Sequence, residues 1–324
     1  MSEPRSADAP SSSISRRHLL RTAAGTLAGS ALLGTAIADK PGPAAVKPER
    51  AVTKGRINQS IVHWCFAKHW NAEQTAKIAK TLGCKSIELI APDAWPTLKK
   101  YDLTCAIAGI DMSPDPPFVK GFNNPKYWEQ VVAATKKSID AAAEFGCPNV
   151  IAFTGYKYRD AKNPKSGEMS LEEGAANCVK GFKKVVGYAE KKKVTICLEM
   201  LNTRDDTHPM KGHPGYQGDD TEYCVDIIKK VGSKRLKLLF DIYHVQIMNG
   251  DVIRRIKQHK EVIAHIHTAG NPGRAELNDK QEIQYPAVMR ALLDIGYKGF
   301  VGQEFIPVGD PLAGLKQAVT LCDV

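Results

Sequence analysis

Residues 236–267 read LKLLFDIYHVQIMNGDVIRRIKQHKEVIAHIH. A strand-length apolar run at 236–241, a helical stretch at 252–259 and a second apolar run at 263–267 make one strand–helix–strand unit. Each apolar run ends on a metal-type ligand, Asp241 in LLFD and His267 in AHIH. The pattern repeats outward on both sides, with CLEM carrying Glu199 and VGQE carrying Glu304. The four ligands stand 42, 26 and 37 residues apart, about one strand-plus-helix unit each. A parallel barrel brings the C-terminal ends of successive strands to one rim, so this spacing gathers Glu199, Asp241, His267 and Glu304 around one point. Two Glu, one Asp and one His form an oxygen-rich donor set suited to one divalent ion, Mn²⁺, Mg²⁺, Co²⁺ or Zn²⁺. Helix capping by strand-end side chains does not account for four ligand-type residues at matched positions.

The alternation continues along the chain. Further strands are expected at 57–66, 86–90, 104–108, 150–153, 194–200 and 300–305, which makes eight. Helical stretches are expected at 72–82, 127–145, 171–191, 221–231 and 286–295. Several stop at Gly83, Gly146, Gly232 or Gly296, because glycine enters the left-handed conformation that ends a helix. Pro92 and Pro96 limit the link after residue 90 to a short helix near 98–101. Eight such units predict an α/β chain closed into a (β/α)₈ TIM barrel, with an open doubly wound sheet as the runner-up.

The first 38 residues read as an address. Ser15-Arg16-Arg17-His18-Leu19-Leu20 is a twin-arginine pattern, a weakly apolar Ala/Gly/Leu stretch follows, and Ala36-Ile37-Ala38 offers a cleavage site. The apolar stretch is too short for a membrane span, so residues 1–38 are expected to be a Tat signal peptide and the enzyme periplasmic or otherwise exported. The Pro- and Ala-rich segment 39–54 is expected to be a linker, and 55–324 the barrel.

The whole chain carries a formal charge of +10, of which residues 1–38 supply two through four Arg against Glu3 and Asp8. Its basic residues are dispersed in pairs such as Lys136-Lys137 and Lys183-Lys184, which mark solvated helix faces. A nucleic-acid footprint needs clustering, so no nucleic-acid partner is expected. Eight cysteines include no C-x-x-C pair, and no disulfide pairing can be read from their spacing.

The segments 239–250 (LFDIYHVQIMNG), 264–286 (AHIHTAGNPGRAELNDKQEIQYP) and 296–307 (GYKGFVGQEFIP), with Glu199 to Arg204, resemble hydroxypyruvate isomerases of the xylose isomerase-like superfamily. The resemblance runs from about Gly55 to the C terminus and is strongest from Val194 onward. It implies a metal-dependent isomerase acting on a small sugar or hydroxy-carbonyl substrate, with Glu199 and Glu304 as ligands and as the acid/base pair. Where those isomerases commonly carry Gln, this chain has His267, which makes the site look more like that of ketose 3-epimerases and other sugar isomerases. An endonuclease IV-like enzyme and an exported, non-catalytic sugar-binding barrel are the other readings. No membrane span is expected after signal cleavage, and a homo-oligomer is allowed.

Further substrate contacts are expected around the quartet. His244 would project near the metal, and Arg274 would offer its planar fork to a substrate carboxylate or hydroxyl. Glu276 would orient Arg274 or hold a hydroxyl. His63 and Trp64 are expected to end the first strand and wall the pocket, with Glu88 at the end of the second strand. Tyr156 is weighed evenly as a contact, and His265 is expected to face the helices. The long loop 202–217 is expected to cover the site or to meet another subunit, with His213 or Tyr216 touching the ligand.

Overall fold

A computed structural model describes residues 49–324. The expected signal peptide at 1–38 and the start of the expected linker, 39–48, lie outside the described residues. In chain order the elements are β1 (Asn58–Val62), α1 (His63–Phe66), α2 (Ala72–Leu82), β2 (Ser86–Glu88), α3 (Trp95–Lys100), α4 (Trp128–Phe145), β3 (Asn149–Ala152), β4 (Tyr158–Asp160), β5 (Asn163–Glu168), α5 (Leu171–Lys183), α6 (Val186–Lys192), β6 (Thr195–Glu199), α7 (Thr221–Val231), β7 (Leu236–Asp241), α8 (Ile242–Met248), α9 (Val252–Gln258), β8 (Ile263–Thr268), α10 (Tyr285–Asp294), β9 (Phe300–Gln303) and α11 (Pro311–Cys322). None of the helices among the described residues is long and apolar enough to cross a membrane.

Seven strands form one parallel sheet in the order β2-β1-β9-β8-β7-β6-β3. Its two edges are joined through residues 104–108, since Thr104 bridges Ser86 and Ala108 bridges Val150. The amide of Leu89 donates to Ile107 O at 3.1 Å and that of Ala108 to Asn149 O at 2.9 Å. The ring therefore closes as a TIM barrel, and its third position is a pair of bridges where a strand was expected. Side chains take part of the ladder's place there: Asn149 Nδ2 donates to Ala106 O at 2.9 Å and Cys105 Sγ to Ile107 O at 3.3 Å.

Other boundaries moved for local reasons. The first strand stops at Val62, and His63 opens α1. The helix expected over 171–191 divides into α5 and α6, because the amides of Lys184 and Val185 bond three residues back and tighten the turn. A hairpin of β4 and β5, absent from the expectation, fills the connection after β3. The expected helix at 72–82 forms with those bounds. Asn71 and Gln74 make a reciprocal capping box at its start, and Gly83 closes it at φ 92°.

Both faces of the strands are buried, as helix crossovers on a parallel sheet require. Ile61, Ile87, Ile196, Leu198, Leu238, Phe240 and Ile266 are fully buried. At about 25 cal/mol per Å² of apolar surface, each such side chain contributes roughly 1.5–3 kcal/mol. The barrel begins before Gly55: Ala51 and Val52 are buried, and their amides donate to Leu82 O at 3.0 and 2.9 Å. The linker expected to run to residue 54 is thus packed at Ala51 and Val52, because those amides find partners on the barrel. All eight cysteines are buried and unpaired.

Candidate metal centre and active site

Four strands deliver the quartet. β6 ends on Glu199, β7 on Asp241, β8 carries His267 one residue from its end, and Glu304 directly follows β9. Asp241 also caps α8, its Oδ1 accepting the amide of Tyr243 at 2.8 Å. That bond fixes the carboxylate and leaves Oδ2 facing the interior. One ligand atom from each of the four residues lies within 4.8 Å of the others, and all four residues are buried. His267 Nδ1 stands 2.8 Å from Glu304 Oε2 and 3.6 Å from Glu199 Oε1.

Arg274 completes the cluster. It follows Pro272 and Gly273 in a tight turn, with its own φ at 52°. Nη2 lies 2.6 Å from Glu304 Oε2 and 3.5 Å from Asp241 Oδ2, and Nη1 donates to Met210 O. The guanidinium sits 5.3 Å from the ring centre of Trp64 and 5.7 Å from that of Tyr243. Trp64 Nε1 donates to Glu304 Oε1 at 3.1 Å.

The electrostatics follow from burial opposed by neighbours. Burial pushes Asp241 up to about 7 against the pull of Arg274, and the Glu304 and Glu199 charges add to the rise. Burial also raises Glu199, against the adjacent His267. Burial opposes ionisation of Glu304 too, yet Arg274 and His267 hold it well below the usual carboxylate range. For His267, burial disfavours the charge, but Glu304, Glu199 and Glu88 lift it well above the usual histidine range. Burial and Arg274 drive His213 down to about 3 and His244 well below its ordinary value, so both are neutral near pH 7.

This donor set fits a divalent cation. Three carboxylates and an imidazole converge with Arg274 as their only permanently charged counterion among the described residues, an arrangement short of positive charge in a buried place. Glu199 Oε1 and His267 Nδ1 are buried without a hydrogen-bond partner. Such atoms rarely go unsatisfied in a folded protein without a ligand to explain them.

A cavity of about 300 Å³ opens onto Glu199, Glu304, Arg274 and His213. Its remaining wall is apolar and includes Trp64, Leu89, Ile110, Phe118 and Phe153. A larger groove of about 820 Å³ lies between residues 272–281 and α11, away from the quartet.

The other expected contacts divide. Trp64 lines the cavity. His244 lies beside Asp241, with Nε2 3.6 Å from Oδ2 and no hydrogen-bond partner. Its Nδ1 takes the amide of Asn202 at 3.0 Å, which assigns the hydrogen to Nε2. His63 turns to Thr75 Oγ1 at 3.4 Å and does not line the cavity, because the chain has already entered α1. Glu276 also faces elsewhere: its Oε1 accepts the amides of Val308 and Gly309, both at 2.8 Å, and braces the approach to α11. Glu88 is fully buried below the quartet, where its Oε1 lies 2.8 Å from Nε2 of both His265 and His267. His265 thus faces the barrel interior and not the helices, since residues two apart on a strand share a face.

The 202–217 loop covers one side of the cavity through Met210 and His213. The His213 ring lies 4.2 Å from that of Phe118. Tyr216 is buried, accepts the Thr154 amide and donates to the Glu199 backbone oxygen at 2.8 Å, so it supports the end of β6 from behind. Tyr156 is half-buried beside Phe118, 6.3 Å between ring centres. The expectation did not include Phe118 and its preceding Pro116-Pro117. The signal was present in the proline- and aromatic-containing connection at 109–118, placed after a strand position on the same rim.

Residues 76–322 match the sequence model of the family described as a xylose isomerase-like TIM barrel. A putative hydroxypyruvate isomerase of Homo sapiens is 29% identical over 190 residues, covering 57% of this chain and 64% of that protein. A 2-oxo-tetronate isomerase of Cupriavidus necator is 38% identical over 122 residues, covering 38% and 44%. The matched segments span less than two thirds of either relative. In three dimensions the chain is similar to an AP endonuclease, family 2, from Brucella melitensis, with a TM-score of 0.65 and 22% identity over 80% of this chain and 96% of that one. It is also similar to a D-psicose 3-epimerase, with a TM-score of 0.59 and 17% identity over 82% and 90%. At these identities the structural likeness speaks for the fold alone.

Proposed function

The chain belongs to the xylose isomerase-like TIM barrel family, and on that premise we propose that it is a metal-dependent isomerase of small hydroxy-carbonyl compounds, of the hydroxypyruvate/tartronate semialdehyde type. The observation that carries this reading is the convergence of Glu199, Asp241, His267 and Glu304 on one point, with Glu199 and Glu304 opening onto one cavity. Its volume of about 300 Å³ suits a small molecule. A divalent cation held by Glu199, Asp241, His267 and Glu304 would supply positive charge to stabilise the negative charge that develops when a carbon-bound proton leaves.

The chain's own groups then divide the work. Glu199 and Glu304 come from β6 and β9 and approach the cavity from different strands, so one takes the proton and the other returns it to the adjacent carbon. Arg274 holds Glu304 ionised, which suits that residue to act as base, while the raised Glu199 is suited to carry a proton. The neutral His244 offers its Nε2–H toward the Asp241 side. The apolar wall of Leu89, Ile110, Phe118 and Phe153 excludes water, which strengthens each of these interactions.

A ketose 3-epimerase is the second reading, favoured by His267 in place of the glutamine that hydroxypyruvate isomerases commonly carry. Both readings are tested by incubating the metal-loaded protein in D₂O with hydroxypyruvate and with a panel of ketoses. Deuterium entering hydroxypyruvate with formation of tartronate semialdehyde is the expected result. Exchange only at C3 of a ketose selects the epimerase, and metal binding without any exchange selects a sugar-binding barrel. The twin-arginine pattern adds the proposal of export to the periplasm. Arg16→Lys with Arg17→Lys should then retain the protein in the cytoplasm on cell fractionation, and unchanged distribution would refute the signal.

A further inference from the structure

Beneath the quartet lies a second buried cluster that the proposed proton transfer does not use. β8 presents His265 and His267 to the interior, and Glu88 at the end of β2 reaches them past β1 and β9. Glu88 Oε1 lies 2.8 Å from Nε2 of each histidine, and all three side chains are fully buried. The reach depends on Gly302 of β9, which pairs in register with His267. A Cβ at Gly302 would stand 2.2 Å from Glu88 Oε1 and 2.9 Å from His267 Cδ2. The carboxylate crosses the barrel through the gap that this missing side chain leaves.

The two nitrogens of His267 thereby acquire different roles. Nε2, against the Glu88 carboxylate, keeps its hydrogen; Nδ1, which faces Glu199 and Glu304, is the nitrogen that gives up its hydrogen when a cation takes that place. An imidazole that donates one N–H to a carboxylate is oriented by it and becomes a stronger ligand through its other nitrogen. His265 gives the same oxygen a second donor and so pins the carboxylate. We propose that Glu88 is a positioning residue: it fixes the Nε2–H tautomer of His267 and strengthens Nδ1 as a metal ligand, with His265 and Gly302 as its supports. This rests on the metal site proposed above, and it assigns Glu88 to metal affinity and not to substrate contact.

The test is calorimetric titration of Mn²⁺ and Co²⁺ into the chelator-stripped full chain and its Glu88→Gln variant. Glutamine keeps the size and an acceptor oxygen but removes the charge. Metal affinity should fall ~10–100-fold, the visible absorption of bound Co²⁺ should shift, and KM at saturating metal should stay unchanged. A folded variant that binds metal as tightly as the parent overturns the proposal, as does a loss confined to KM. A parent protein that binds no divalent ion overturns the metal site and this proposal together, so the two failures are distinguishable. Should Glu88→Gln not fold, the parent decides alone. With ¹⁵N-labelled histidine, the His267 signals, assigned by their loss in His267→Gln, should show Nε2 protonated and Nδ1 shifting on Zn²⁺ addition. With Zn²⁺ bound, a proton still on Nδ1, or metal at Nε2, rules the proposal out.

Discussion

The half of the barrel from β6 to β9 and the half from β1 to β3 face the same cavity with opposite chemistry. The first ends its strands on Glu199, Asp241, His267 and Glu304 and adds Arg274 from the turn after β8. The second offers Trp64, Leu89, Ile110, Phe118 and Phe153, and its fully buried carboxylate Glu88 is withdrawn beneath the site against two histidines. The charged half can act on the polar end of a substrate only because the apolar half keeps water out, since a charge at 4 Å counts for several times more at protein permittivity than in water. The division also explains the charge deficit. Carboxylates are concentrated where a cation can be shared and are absent from the facing wall.

The sharpest break of this contrast is to neutralise the charged half. Glu199→Gln or Glu304→Gln should reduce kcat for solvent exchange by ~10²–10⁴-fold, the usual worth of a positioned acid or base. Metal affinity should fall as well, because each residue is also a donor. Turnover retained in both variants would end the acid/base assignment. Next in size is Arg274→Met. Removing one partner of a buried ion pair leaves a charge uncompensated, at ~3–5 kcal/mol. For a domain of this length that is a fall in Tm on the order of 10 °C in chelator. Added Mn²⁺ should restore part of it, by mass action on the folded state. An unchanged Tm in chelator would mean that the charged half does not depend on Arg274.

The two halves were also unequally legible. The ligands of β6 to β9 stand at the ends of apolar runs one unit apart, so period and spacing together placed them. In the first half the same logic misled. Glu88 ends β2 as a ligand would, but Gly302 lets it pass under the site to His265 and His267, and a vacancy on β9 cannot be read from a residue on β2. His63 was displaced by the early start of α1. In the other half, Glu276 was drawn away by two backbone amides from residues 308 and 309, more than thirty positions away. The 104–108 segment has strand composition, but the Asn149 side chain occupies the carbonyl of Ala106. Phe118 entered the site from a loop whose prolines mark a turn without showing where it leads.

The smallest expected effect lies at the seam between the halves. Asp323, just past α11, accepts the amides of Thr53, Lys54 and Gly55 at 2.6, 2.7 and 2.8 Å and the Thr53 hydroxyl at 3.0 Å. One carboxylate therefore ties the entry to β1 onto the helix that follows β9. Burial works to raise Asp323, but the Lys54, Gly55 and Thr53 amides and the Thr53 hydroxyl hold it below its ordinary value. A carboxyl whose folded value lies below its unfolded value stabilises the fold above the unfolded value, near 3.9, and loses that contribution as pH falls through the folded one. Asp323→Asn should thus lower stability by ~1.5–3 kcal/mol at pH 7, the range for hydrogen bonds to a charged group. Its deficit against the parent should shrink as denaturant unfolding is repeated below about pH 4. Equal deficits at pH 7 and pH 3 would show that the loss comes from packing, and that the seam is held by the apolar contacts of Ala51 and Val52 instead of this charge.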